Sequence, residues 1–525
     1  MTTIVSSRLI VGLEVHVELA TRTKMFTRVA SPAHPSHYDA APNTLIDPVV
    51  LGLPGALPVL NREAIRMSAM VGLVLGCRIA EFTKWDRKSY YYPDLPKNYQ
   101  ISQYDLPLCF DGTVDVPASE DASDDEPPRR INIVRAHLEE DAGKLMHEWP
   151  AGVASTGHSG GAGQARHIDF SIVDYNRAGT PLLEIVTAPD FETAPQVVAF
   201  AQMLRNTCRF LGVTEGVMQK GHMRFEPNIN MELTLEGGRT VRTPIVEVKN
   251  LNSFKSLRGA IEFEAREQPR RWLQDQRELG RGTKVTRGWD DHREETFPQR
   301  EKEDAHDYRY FPDPDLLPVT ITRQWVEELK ATLPEPPHSR EKRYQTDAAL
   351  KPKEARALVE DREVCFFYEA AVEAAVALGV PLPTAGKLAA NFVLQNGMKR
   401  ANERAVPVHD LGITAAQIGG LVALRDAGEI GSSAADELFG LLCDSDESPK
   451  ALAQKHGLLQ VKDTAAMQTW CRQVIDNPAN AKAVADVQSG KDAAIGRLVG
   501  EAMKLSAGQA DAKAIREMLI TLLRP

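Results

Sequence analysis

The chain has 525 residues, 43% hydrophobic and 26% charged, an ordinary balance for a globular protein with roughly two to four domains and a sizeable core. Its formal net charge of −10 argues against a protein coated in nucleic acid, while leaving room for a local basic surface. No apolar run approaches the ~20 residues of a membrane helix and the N-terminus lacks a signal-peptide pattern; six scattered cysteines form no CxxC pair, which leaves a zinc ribbon unsupported and suits a reducing, cytoplasmic setting.

The first predicted element is the strand "GLEVHVEL" (12–19). Leu13, Val15, Val17 and Leu19 share one parity and Glu14, His16 and Glu18 the other, the alternation of a half-buried strand. "LGLPGALPVLN" (51–61) reads as a shaped loop whose Asn61 caps the helical run that follows. "KWDRKSYYYPDLPKNYQISQYD" (84–105) interleaves Lys84, Arg87, Lys88 and Lys97 with Tyr90, Tyr91, Tyr92, Tyr99 and Tyr104. Such a stretch can stack a base and contact phosphates, or simply pack on its own domain. Next come a charged loop (118–130) and a strand, "INIVRAHLEED" (131–141), with Arg135, His137, Glu139 and Asp141 on one parity and Glu140 on the other. A Gly-rich hairpin tip (150–166) lacks the ending of a phosphate-binding loop.

Three further strands repeat the opening pattern. "LLEIV" carries Glu184, "MRFEPNINMEL" aligns Arg224, Glu226, Asn228, Asn230 and Glu232, and "PIVEVKNL" pairs Glu247 with Lys249. If these five strands form one antiparallel sheet, one face packs helices and the other is dense in carboxylates, imidazole and cations. Facing carboxylates repel unless a cation sits between them, and oxygen donors with one or two histidines suit Mg²⁺ or Mn²⁺. Arg and Lys beside such an ion suit a phosphate-bearing substrate. The alternative is a solvated face of mixed charge. Past "DYRYFPDPDLLP" (307–318) and the Pro-rich break "LPEPPHSR" (333–340) the chain becomes Ala- and Leu-rich and helical, with a modest cationic excess in the tail at Lys482, Lys491, Arg497, Lys504, Lys513 and Arg516.

"GLEVHVEL", "GLPGALPVLN", "DRKSYYYPDLPKNYQISQYD", "HLEEDAGKL", "DYNRAGTPLLEIV", "EVKNLNSF" and "DYRYFPDPDLLP" together resemble the B-subunit family of the Asp/Glu-tRNA amidotransferases, and the segment from "NPANAKAVADV" onward is similar to that family's YqeY-like tail. The resemblance implies an α+β fold: a glutamine synthetase/guanido kinase-like cradle with an antiparallel sheet (1–298), a helical domain (299–408) and a YqeY-like tRNA-binding tail (409–525). It implies a ligase that uses ATP and Mg²⁺ to phosphorylate the side-chain carboxylate of Glu-tRNA(Gln) or Asp-tRNA(Asn). Ammonia from glutamine, delivered by the amidase (the A component of the amidotransferase), then displaces the phosphate, and a small C component completes a heterotrimer. Carried over by motif, Glu14, His16, Glu184 and one of the pair Glu139 and Glu140 look like metal ligands. Parity favours Glu139 of that pair, while the family pattern favours Glu140, and a β-bulge would reconcile the two. Lys88, Tyr90, Arg224, Glu226 and Lys249 look like catalytic-pocket residues, and Lys88, Arg177 and Lys249 like nucleotide contacts. Where many relatives read Arg-Cys-Asp-Ala-Asn this chain reads "RFEPN", so Glu226 replaces a shorter Asp, and the region 24–50 lacks the relatives' cysteines, so no zinc is expected. Removing the residues after Asp476 is expected to weaken tRNA binding.

Overall fold

A computed structural model describes residues 3–120, 126–149, 166–301, 308–460, 464–506 and 510–524. The chain divides into two compact units, Met1–Pro336 and Pro337–Pro525.

The first unit is mixed α+β and is built on a 13-stranded sheet. Ten of its strands form one continuous path: β1 (Ile4–Glu18), β2 (Asp86–Ser89), β3 (Tyr99–Ser102), β4 (Arg129–Glu140), β5 (Pro181–Thr187), β6 (Met223–Leu235), β7 (Val246–Lys249), β8 (Val285–Asp290), β9 (Glu295–Glu301) and β10 (Phe311–Pro312). Their spatial order is β9-β8-β7-β6-β1-β5-β4-β3-β2-β10. All neighbours are antiparallel except β7 and β8, which run parallel. The five strands marked by the polar rows are therefore contiguous, and the N-terminal β1 lies among them.

Val11, Leu13, Val15 and Val17 of β1 are buried in the main core. With them pack Val197, Ala201, Leu204 and Cys208 of α2 (Ala194–Phe210), Ile65 and Val71 of α1 (Arg62–Val74), and Leu257 and Ile261 of α3 (Phe254–Asp275). A fully buried Val or Leu side chain contributes ~1.5–3 kcal/mol, so this apolar face fixes the register and leaves the polar face free for chemistry. Each helix begins at a side-chain cap: Asn61 accepts from the Glu63 N–H at 2.9 Å, Thr193 from Gln196 at 3.3 Å and Ser253 from Ser256 at 3.0 Å. The strands Lys144–Trp149 and Arg166–Asp174 pair as hairpin arms; the Gly-rich tip between them, residues 150–165, lies outside the described residues.

The first unit continues past residue 298, the boundary at which the motif resemblance closes the cradle. Phe311 of β10 lies opposite Arg87 of β2, and Leu329 of the helix Arg323–Ala331 packs on Ala69 and Met70 of α1. A strand of two residues carries no periodicity of its own, so this return to the sheet leaves no sequence pattern.

The described part of the second unit is helical. Its last four α-helices, Thr464–Asp476, Ala481–Gln488, Ile495–Leu505 and Ala512–Leu523, share a core of Met467, Cys471, Val474, Val487, Leu498, Ile515 and Leu519. A cut after Asp476 passes through this core and strips the first of those helices of its partners, so truncation there removes a fold along with a surface. Lys482, Lys491, Arg497, Lys504, Lys513 and Arg516 are all exposed. None of the described helices is long and apolar enough to cross a membrane.

Candidate functional site

Register builds the site. On β1, His16 lies opposite Glu184 of β5 and Arg224 of β6, and Glu14 lies opposite Glu226 of β6. One strand further out, Glu184 is opposite His137 of β4, and Asn228 is opposite Glu247 of β7. Directly opposed residues share a face, so the polar parities of five strands merge into one surface.

Two donor groups stand on it. His16, Glu139 and Glu184 each bring one ligand atom within 4.8 Å of the others, and Glu14, Glu226 and Glu247 do the same. In the first group, His16 Nε2 is 3.6 Å from Glu184, and His137 Nε2 is 3.3 Å from Glu139 and 3.5 Å from Glu184. The Ser102 hydroxyl donates to Glu139 at 2.6 Å and the Gln100 amide at 2.8 Å. Burial raises the Glu184 carboxyl, but His137, His16 and Lys88 outweigh it and hold the group well below the usual carboxylate range. In the second group, Lys249 Nζ is 2.7 Å from Glu226 and 3.2 Å from Glu247, Lys284 is 3.2 Å from Glu247 and 3.9 Å from Glu14, and Asn228 donates to Glu14 at 2.9 Å. Burial lowers Lys249, yet Glu226 and Glu247 raise it above its ordinary value, so it stays an ammonium.

The predicted residues distribute as follows. Glu14, His16, Glu139, Glu184, Glu226 and Lys249 meet in the two groups. Lys88 stands at the Glu139 end: burial lowers it, and Glu139, Tyr310 and Glu184 together raise it above the usual lysine value. Tyr90 is raised by burial first and by Glu139, against Lys88. Arg224 reaches Asp141 at 2.6 Å, and Arg177 lies 3.6 Å from the same carboxylate. Arg177 also donates to the Ala142 and Gly143 carbonyls at 3.0 and 2.7 Å, so its guanidinium is largely committed to the backbone. Glu140 stands apart from both groups. It points to the opposite face, where Lys97 donates to it at 2.6 Å and the Ile101 N–H at 3.0 Å. No bulge intervenes, because Glu139 and Glu140 pair in unbroken register with Leu182 and Pro181. Two site residues escape the sequence-based assignment. Glu247 is a donor atom source that its shared parity with Lys249 could have revealed. Lys284 precedes its strand and carries no pattern.

The donors of the first group fit a hard divalent cation: two carboxylates and an imidazole, with no Lys or Arg within ion-pair distance of Glu139 or Glu184 among the described residues. The ammonium groups of Lys249 and Lys284 suit polyphosphate oxygens.

A model of the GatB/GatE catalytic domain matches residues 9–327, and a second, of the GatB domain, matches 371–523. The chain is 41% identical over 515 residues to a protein of Rhodopirellula baltica, covering 98% of this chain and 96% of that one. It is 39% identical over 510 residues to a protein of Carboxydothermus hydrogenoformans and 40% over 514 to one of Thermomicrobium roseum, covering 97% of each chain in both cases. All three are named as the B subunit of an aspartyl/glutamyl-tRNA(Asn/Gln) amidotransferase. This chain belongs to that B-subunit family. The catalytic-domain match contains both donor groups and the return strand β10, and the GatB-domain match contains the four-helix core of the tail.

Proposed function

We propose that this chain is the carboxylate-activating component of a tRNA-dependent amidotransferase, working with an amidase and a small third component, the A and C members of a heterotrimer. A side-chain carboxylate of Glu or Asp esterified to tRNA is inert toward ammonia. Transfer of the γ-phosphoryl group of ATP to one carboxylate oxygen gives an acyl phosphate. Ammonia released from glutamine by the amidase then attacks the acyl carbon and the C–O bond to phosphate breaks. Glu-tRNA(Gln) thereby becomes Gln-tRNA(Gln), and Asp-tRNA(Asn) becomes Asn-tRNA(Asn). In this reading His16, Glu139 and Glu184 hold Mg²⁺, which when bound neutralises phosphate charge. Lys249 and Lys284 orient the polyphosphate, Lys88 and Arg224 face the reacting carboxylate, and Tyr90 closes that end of the pocket. We read the sheet as the glutamine synthetase/guanido kinase-like cradle, and the YqeY-like tail as the part that holds the body of the tRNA.

The observation that carries the reading is the juxtaposition on one sheet face of a carboxylate–imidazole group and a carboxylate group already matched by lysines. The test is amidation by the complex of this chain with its amidase and small-component partners. Amide formation should require ATP, Mg²⁺ and misacylated tRNA together, with one ATP hydrolysed per amide. Amidation that is indifferent to Glu184→Gln would make the chain a scaffold instead.

A further inference from the structure

Beside Lys88 lies a group of tyrosines that the metal and phosphate residues leave unused. Pairing of β10 with β2 brings the segment Tyr308–Tyr310 over the sheet edge. The Tyr308 ring centroid is 5.3 Å from Lys88 Nζ and 6.0 Å from the Tyr90 ring, at 72°. Tyr308 meets Tyr310 edge to face at 6.2 Å, and Tyr310 stacks on Tyr104 at 4.1 Å and 12°. None of the four belongs to the apolar core, and Tyr104 is 49% exposed. Between the two tyrosines of the segment, Arg309 has a φ of +48°, a left-handed conformation that costs a non-glycine residue ~1–2 kcal/mol.

The segment is anchored. Arg87 donates to the fully buried Asp313 at 2.7 Å and to Asp315 at 2.9 Å, and the Asp313 N–H bonds the Trp85 carbonyl at 2.9 Å. The fold thus spends a buried ion pair and a strained residue to hold polar aromatic rings at the rim of an acidic site, where apolar packing gains little. Rings presented in this way, beside a cation, suit the π-face of a nucleobase, worth ~1–3 kcal/mol per stacked base.

We infer that Tyr308 and Tyr310, with Tyr90 and Tyr104, form a stacking shelf for an adenine nucleoside whose reacting end points past Lys88 toward His16, Glu139 and Glu184. The inference rests on the proposed reaction, which has two such nucleosides: that of ATP and the terminal adenosine of the tRNA acceptor end. Binding measurements on the full-length chain in its complex separate them without any chemistry. One arm compares ATP with inorganic tripolyphosphate. The other compares uncharged tRNA ending in CCA with the same tRNA lacking its terminal adenosine.

In the unsubstituted complex the presence of the adenosine should improve affinity about tenfold or more in at least one arm. Tyr310→Ala and Tyr308→Ala should reduce that ratio to about twofold or less, and Tyr310→Phe should preserve it. Collapse in the first arm assigns the shelf to ATP, and collapse in the second to the terminal adenosine. Tyr310→Leu keeps bulk without a π-face and replaces the Ala variant if melting shows that variant unfolded. Ratios unchanged in the folded Ala or Leu variants overturn the shelf while leaving the reaction intact. An unsubstituted complex that binds neither ATP nor tRNA overturns both.

Discussion

The two donor groups on the sheet face balance their charge by different means. Within reach of Glu139 and Glu184 stand imidazoles, a hydroxyl and an amide, all able to rearrange around an ion or give it a lone pair, while the Lys88 ammonium acts on both carboxylates from beyond ion-pair distance. Around Glu14, Glu226 and Glu247 stand the ammonium groups of Lys249 and Lys284, which have no lone pair to give. The first group is suited to an exchangeable cation. The second carries its own cations and holds them where phosphate oxygens could share them. Glu14 and His16, two residues apart on one strand, fall into different groups because each follows its own opposite partners, Glu226 and Glu184.

The sharpest way to break this contrast is to remove a carboxylate from the first group. Glu184→Gln should lower the amidation rate of the complex roughly 10³-fold or more, with glutamine hydrolysis by the amidase partner partly retained. A loss under tenfold in steady-state assays would contradict the assignment. In the second group, Lys249→Met should reduce kcat/KM for ATP by about 10²-fold while leaving Mn²⁺ binding at the first group within about threefold, measured by paramagnetic relaxation. Equal loss of both would merge the groups into one.

The adjacent pair Glu139 and Glu140 separates chemistry from stability. Glu140→Gln leaves the buried Lys97 without a carboxylate and should cost about 3 kcal/mol in denaturant unfolding, with amidation by the folded protein reduced less than tenfold. Glu139→Gln should do the reverse. On the exposed surface of the tail, Lys513→Glu combined with Arg516→Glu should raise the Michaelis constant for misacylated tRNA about tenfold and flatten its salt dependence, without altering tRNA-independent glutaminase activity. The double substitution keeps the tail core intact.

The smallest effect belongs to an ion cluster with no assigned chemistry. Glu369 accepts from Arg343 at 2.5 Å and from Tyr344 at 2.8 Å, and it also pairs with Arg340. Burial raises its carboxyl, but these partners hold it below the ordinary value. Its stabilisation is therefore present above the unfolded value of about 4.3 and is lost as pH falls through the depressed folded value. Glu369→Gln should cost about 1 kcal/mol near neutrality, with the difference from the unsubstituted protein closing at lower pH in acid titrations of unfolding.

Much of the sheet face was legible because strand parity is a strict code: Glu14, His16, Glu184 and Glu226 each occupy the face their alternation assigns. The same code separated Glu139 from Glu140, where the motif resemblance leaned the other way. Lys284 and the Tyr308–Tyr310 segment were not legible as site residues, because their positions depend on pairings between distant strands and on a two-residue bridge. Arg177 illustrates another limit. A sequence names a cation near the site, but only the structure shows that nearby backbone carbonyls already occupy it.

The position of β1 within the sheet also sets an order of assembly. Ile4–Glu18 is made well before its partners, for its ladders run to Pro181–Thr187 and Met223–Leu235. Until those segments are made, an alternating run of Leu, Val and Ile has unsatisfied backbone on both edges, the condition under which nascent chains pair with the wrong neighbour. No early fragment can rehearse the site, since its two donor groups require β4, β5, β6 and β7 in place. Cotranslational proteolysis should therefore find β1 cleavable in every nascent chain that ends before β5, and protected only once β6 has emerged.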